Sequence, residues 1–159
     1  MEVTVESAED RLQRLEDRDA IHQLFVDYGR HLDQGNWERL AALFAEDGEV
    51  LLGPMGRAKG PEAIQELMAR TLTAGLGTSF HIISSPDVTL AGDTATAEVM
   101  WTVVERRPDG GLGISLLGRH LDRLSRTPEG WRIQRRKGDL HLVAKPPAAG
   151  AAQPSSSGP

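Results

Sequence analysis

The feature that most constrains this chain is a change of period along it. Up to about Gly77 the apolar residues recur at three- and four-residue steps, and after Thr78 they give way to β-branched and apolar runs cut by turn signals. A chain that places its helices first and its strands afterwards is expected to be α+β, with the helices packed on one face of an antiparallel sheet.

From Ser7 to Leu32, the residues Leu12, Leu15, Ile21, Leu24, Phe25, Tyr28 and Leu32 form the apolar stripe of a long amphipathic helix. Gly35 ends it, and Asn36 is placed to cap a second helix from Trp37, with Leu40, Leu43 and Phe44 as its buried side until Asp47-Gly48. Glu49 to Leu52 reads as a short strand and Gly53-Pro54-Met55-Gly56 as a turn. Proline suits the first position of a helix, so Lys59-Gly60-Pro61-Glu62 opens a third one, which buries Ile64, Leu67, Met68 and Leu72 and closes at Gly75 and Gly77. Four strands follow, Phe80 to Leu90, Thr94 to Arg107, Leu112 to Ser125 and Trp131 to Val143. The breaks at Ala91-Gly92-Asp93, Pro108-Asp109-Gly110-Gly111 and Pro128-Glu129-Gly130 suit antiparallel connections.

With 159 residues the chain has room for one sizeable core. Residues 1–145 are read as one domain, and 146–159, almost entirely Pro, Ala, Ser and Gly, as a flexible tail. The net charge of −5 is spread along the chain, without the basic face that nucleic acid requires. The absence of cysteine excludes disulfides, thiolate metal sites and a cysteine nucleophile. The acidic start and the lack of a long apolar run predict neither a secretion signal nor a membrane span, so a cytoplasmic location is expected. His22 and His141 belong to no metal-ligand spacing, and Gly110-Gly111-Leu112-Gly113 lacks the helix start of a phosphate loop. Neither metal nor cofactor is expected.

Asp33-Gln34-Gly35-Asn36-Trp37-Glu38-Arg39-Leu40-Ala41-Ala42-Leu43-Phe44-Ala45-Glu46-Asp47 resembles the segment joining the first two helices of SnoaL-like domains, of the nuclear transport factor 2-like superfamily. The likeness continues in order through Lys59-Gly60-Pro61-Glu62, His81, Gly118-Arg119-His120-Leu121-Asp122 and Gly130-Trp131-Arg132-Ile133, covering roughly residues 8–143. The resemblance implies a curved, mixed but mainly antiparallel sheet forming a cone closed by the N-terminal helices. It also implies relatives of many activities, among them polyketide cyclases, scytalone and bile-acid dehydratases, dehydrochlorinases, ketosteroid isomerase, limonene epoxide hydrolase and non-catalytic transport factors. Function then has to come from the site.

Asp33 and His81 stand where the resemblance places an Asp-His dyad. A carboxylate bonded to one imidazole nitrogen fixes the tautomer and leaves the other nitrogen as a general base. Tyr28, the only tyrosine in the chain, follows Leu24 and Phe25 on the inward side of its helix, and the resemblance to the bile-acid and scytalone dehydratases implies for it the role of acid or carbonyl donor. The resemblance makes Arg136 a pocket cation for a leaving group or enolate oxygen. Strict alternation from Trp131 and Ile133 instead puts Arg135 on their face, so which arginine points inward stays open. Phe25, Trp37, Leu51, Met68, Leu72, Phe80 and Trp101 are available as an apolar lining, with Phe25, Trp37, Trp101 and Arg136 as substrate-binding residues. His31 and His120 are expected to be structural or exposed. The sum is a cofactor-independent lyase or cyclase acting on a hydrophobic, cyclic carbonyl compound, and pairing as a dimer. An isomerase or an epoxide hydrolase using Asp33, Asp122 and Arg136 is the alternative on the same fold, and a non-catalytic binding module the alternative outside catalysis.

Overall fold

A computed structural model of the protein describes residues 6–145; the tail expected from Pro146 lies outside them. Helix α1 spans Ala8–Gln34. Ser7 and Asp10 form a capping box at its start, and Gly35 ends it in the left-handed conformation at φ 68°. Its buried side is Asp17, Ile21, Leu24, Phe25, Tyr28, Gly29 and Leu32. Leu12 and Leu15, which the periodicity assigned to the apolar stripe, are exposed, because the helix starts beyond the edge of the core.

The second helix is shorter than its pattern predicts. Helix α2 is Trp37–Ala41, and strand β1 already runs from Phe44 to Leu51, so Asp47-Gly48 lies within a strand and does not end a helix. Leu40 and Phe44 are both buried, but four residues apart on either side of the helix-to-strand join. Asn36 occupies the cap position without a side-chain bond to the helix and donates to Gln34 instead.

Gly53–Met55 forms a single 3₁₀ turn and leads into β2, Arg57–Lys59, a strand the sequence did not announce. Helix α3, Pro61–Leu72, has Pro61 in its first turn and buries Ile64, Leu67 and Met68. Strands β3 (Ser79–Ala91), β4 (Thr94–Arg106), β5 (Leu112–Thr127) and β6 (Gly130–Val143) make the expected meander. The six strands form one sheet in the order β2-β1-β6-β5-β4-β3, antiparallel except where β1 runs parallel to β6. Register shifts in the β3–β4, β4–β5 and β5–β6 ladders each insert an extra residue, and such bulges bend strands and sharpen twist, which curves a long antiparallel sheet.

One bulge decides the question of the two arginines. Arg123 pairs with Arg135 but Leu124 pairs with Ile133, so Gln134 has no partner in β5. The extra residue reverses the alternation, and Arg136 rejoins Ile133 on the core-facing side while Arg135 reaches out to Glu49 at 2.7 Å. No described helix is long and apolar enough to cross a membrane.

Candidate active site

Asp33 lies in the last turn of α1 and His81 near the start of β3, an edge strand of the sheet. A carboxylate at a helix C-terminus meets the negative end of the macrodipole and needs compensation. Here it comes from His81, whose backbone N–H donates to Oδ1 and Oδ2 at 3.0 and 3.2 Å and whose ring Nδ1 lies 2.8 Å from Oδ1. Asp33 thus ties down the edge strand and orients the imidazole together. An ionised carboxylate can only accept, so Nδ1 carries a proton, and in the neutral imidazole Nε2 is the nitrogen with the lone pair. Gly29 lets α1 approach β3 this closely, since a Cβ there would sit 2.9 Å from Ile83 Cγ1.

The helix and β3 enclose a cleft of about 460 Å³ lined by Phe25, Gly29, Asp33, His81 and Ile83 among others. A larger cleft, about 740 Å³, contains Glu38, Glu46, Asp47, Glu62 and Glu129 but neither member of the Asp33–His81 pair and no imidazole. The smaller one is the candidate site because it holds the hydrogen-bonded Asp33–His81 pair.

Cross-strand partners share a face, and the ladders carry the chemistry inward from His81. Ile83 pairs with Trp101 and Trp101 with Gly118; one step of two along β5 is His120, and the next is Asp122, paired with Arg136. Arg136 is fully buried and donates to Asp122 from Nε at 2.8 Å and from Nη2 at 2.5 Å. Its guanidinium lies 4.1 Å from the ring centroid of Tyr28 and 5.7 Å from that of Phe25. Burial opposes the charge on Arg136, and the Asp122 carboxylate more than offsets it. Burial likewise pushes the Tyr28 phenol up and holds the His120 imidazole well below its ordinary value of 6.5, with the charges of Arg136 and His81 acting in the same sense on His120.

The fold therefore groups Phe25, Tyr28, Trp101 and Arg136 on the core-facing side. Phe25 lines the cleft; Tyr28, Trp101 and Arg136 lie deeper and do not, and Trp37 opens α2 and packs against the core, also outside the lining. Of the other lining candidates Met68 is buried in the core, Leu51 and Leu72 are half-buried, and Phe80, 66% exposed and opposite in alternation to His81, lines the outer part of the cleft. His31 is half-buried and His120, 6% exposed, is packed edge-on against Tyr28 beside Trp101, so His120 is the buried and not the exposed kind of residue. The alternation Gly118, His120, Asp122 was the signal that would have found it. Arg136 bonds Asp122 and not Asp33, so the two aspartates are not bridged by an arginine as the epoxide-hydrolase alternative needs.

A curved mixed sheet closed by a long N-terminal helix, with a buried polar cluster on its inner side, defines the class of nuclear transport factor 2-like proteins with a cystatin-like fold. Within that class the chain belongs to the SnoaL-like domain family, whose model matches residues 13–137. A nuclear transport factor 2-like protein of cystatin-like fold from Novosphingobium aromaticivorans is 35% identical, with 86% of this chain and 91% of that chain covered and a TM-score of 0.76. A protein of the same organism, assigned provisionally as a scytalone dehydratase, is 27% identical over 87% of this chain and 97% of that one, with a TM-score of 0.66. The hexachlorocyclohexane dehydrochlorinase LinA-type3 of Novosphingobium barchaimii shares the fold at a TM-score of 0.75, with 18% identity over 91% of this chain and 99% of that chain. No curated protein matches the chain significantly.

Proposed function

We propose that the protein is a cofactor-independent lyase or cyclase that removes a proton next to the carbonyl of a hydrophobic, cyclic small molecule. The observation that carries this reading is the 2.8 Å contact between His81 Nδ1 and Asp33, which leaves Nε2 as the base. A binding module would have no need of an oriented imidazole in its cleft. His81 Nε2 takes the α-proton, the C–H electron pair becomes the enolate, and the Tyr28 hydroxyl donates to the enolate oxygen. The enolate then expels a β-hydroxyl, which leaves as water with the proton returned from His81. Arg136, buried against the Tyr28 ring, supports the negative charge from beneath it. A ring closure uses the same enolate as nucleophile.

A positioned general base contributes on the order of 10²–10⁴-fold, so the reading is tested on a ketone whose α-proton is already acidic. In heavy water the protein is expected to accelerate deuterium uptake by β-tetralone, and His81→Gln and Asp33→Asn to slow it by about 10²-fold or more. Uptake no faster than in buffer, or unchanged in both variants, sinks the mechanism.

Pairing of two copies belongs to the same reading. Phe80 and Ile114 meet across Val104 on the outer face of the sheet, and Ile82 and Leu142 share a second row there through Thr102 and Leu117; all four end residues are exposed. Sedimentation is expected to give a dimer that Phe80→Lys together with Ile114→Lys converts to monomer; a wild-type monomer refutes it.

A further inference from the structure

Four buried side-chain polar atoms lack a hydrogen-bond partner among the described residues: His31 Nδ1, Trp101 Nε1, His120 Nδ1 and Arg136 Nη1. The last three belong to one contiguous cluster. The Trp101 and His120 rings are 5.9 Å apart, His120 lies 5.6 Å edge-on from Tyr28, and the Arg136 guanidinium lies 4.1 Å from the same Tyr28 ring. An unpaired buried polar group costs about 1–3 kcal/mol; Trp101 Nε1 and Arg136 Nη1 can only donate, and a neutral His120 with its proton on Nδ1 adds a third donor, so the cluster suits something that accepts.

The position of the indole is built in. A Cβ on Gly118 would come within 2.4 Å of Trp101 Cζ2 and 2.8 Å of Cε2, so the strand carries no side chain where the indole lies across it. His120 follows Gly118 on the same face. The charges also select the ligand. Arg136 is balanced by Asp122, His120 is held neutral, and the indole N–H is a dipole, so the cluster offers donors with no net positive charge. Fixed dipoles of this kind suit an oxygen that starts neutral and gains charge during reaction better than one that arrives as an anion.

We propose that Trp101 Nε1–H, His120 Nδ1–H and Arg136 Nη1–H receive the carbonyl oxygen of the substrate and hold it as the enolate forms, so that this trio decides which end of the substrate enters the site. The proposal rests on the enolate reading above, but its failure is separable. His120 becomes a substrate-binding donor in its neutral form, and Trp101 changes from an apolar wall into a polar contact.

The test uses three probes of one carbon skeleton: tetralin, β-tetralone and the tetralin carboxylate. The protein has three tryptophans, giving three indole N–H signals in a ¹⁵N-correlated spectrum, and Trp101→Phe identifies the one to follow. β-Tetralone is expected to bind at least about tenfold tighter than tetralin, the worth of one or two net hydrogen bonds, and to move the Trp101 signal downfield. The Trp131 signal, already bonded to Asp17 at 3.0 Å, should stay. Trp101→Phe and His120→Asn should each erase most of the preference for ketone over hydrocarbon while His81 keeps its Nδ1 proton, which repacking alone does not predict. Equal binding of ketone and hydrocarbon, no ketone binding, or a Trp101 signal that does not move overturns the proposal. Tighter binding of the carboxylate than the ketone overturns it as well, in favour of an anion receptor. A ketone held by the trio but never deuterated leaves the trio standing and removes His81 as the base.

Discussion

His120 shows how far one buried side chain can couple the site to pH. Burial first, and the charges of Arg136 and His81 after it, hold its imidazole neutral in the folded protein, while the unfolded chain takes up a proton near pH 6.5. The unfolded state therefore binds more protons than the folded state below that value, and stability falls as pH drops from about 6.5 toward the lower folded value. The slope approaches roughly 1.4 kcal/mol per pH unit for one group. Urea titrations between pH 5 and 7 are expected to show this loss in the wild type and a flatter dependence in His120→Asn. Equal slopes in both proteins mean that the imidazole is charged in the fold, and with it the neutral-donor role fails. Asp33 is a different kind of residue: placed against the helix dipole, it is retained where it holds both the amide and the ring of His81. Asp33→Ala is expected to move the His81 proton from Nδ1 to Nε2, read from its ring ¹⁵N shifts; an unchanged tautomer excludes the dyad.

At the scale of elements, two glycines set how closely parts of the fold meet, and they differ in what opposes a side chain. At Gly118 a Cβ meets the backbone oxygen of Asp139 at 2.3 Å as well as the Trp101 ring, and neither can give way without disturbing β5–β6 pairing. At Gly29 the obstacle is a single methylene of Ile83 at 2.9 Å, and alanine regains up to about 1 kcal/mol of helix propensity. Gly118→Ala is therefore expected to cost about 1–3 kcal/mol or more by overpacking, and Gly29→Ala distinctly less. Urea denaturation gives both, and the reverse order contradicts the packing described. The bulge at Gln134 belongs to the same scale: by adding one residue to β6 it moves Arg136 to the inner side, and Gln134 itself turns to Asp47 at 2.9 Å.

For the whole molecule, the tie that joins the long helix to the far end of the sheet is Asp17. Buried on α1, it accepts from Arg126 Nη1 and Nη2 at 2.7 Å each, from Trp131 Nε1 at 3.0 Å and from Gln13 at 3.2 Å. Arg126 in turn stacks over Trp131 at 4.8 Å. The Arg126 bonds first, against the opposing effect of burial, and then Trp131 and Gln13, keep the carboxyl of Asp17 below the usual range. Its contribution is thus complete above about pH 4, the unfolded value, and is lost as pH falls from there through the lower folded value. Asp17→Asn is expected to cost roughly 1.5–3 kcal/mol at neutral pH, the worth of hydrogen bonds to a charged group, and the difference from wild type should shrink below pH 4. A pH-independent difference points to lost packing instead.

Much of this protein follows from residues read locally. The change of period at Thr78, Gly35 as a helix end, Pro61 as a helix start and the turn residues between the last four strands depend on neighbours in the chain, and the elements stand where they predict. The family could be read from the same residues in order, and so could Asp33 and His81 as a pair to be tested. What local reading misplaced depends on partners distant in sequence. Phe44 to Leu51 forms a strand because β6 lies beside it in parallel, a pairing that overrides a helical stripe ending at Phe44. Leu12 and Leu15 are exposed because the helix outruns the sheet it packs on. Arg136 faces inward, and His120 sits unpaired beside it, only because a bulge and a glycine on neighbouring strands set which side chains share a face. Periodicity determines that a side chain alternates; only the tertiary pairing, where one extra residue reverses every later position, decides toward what.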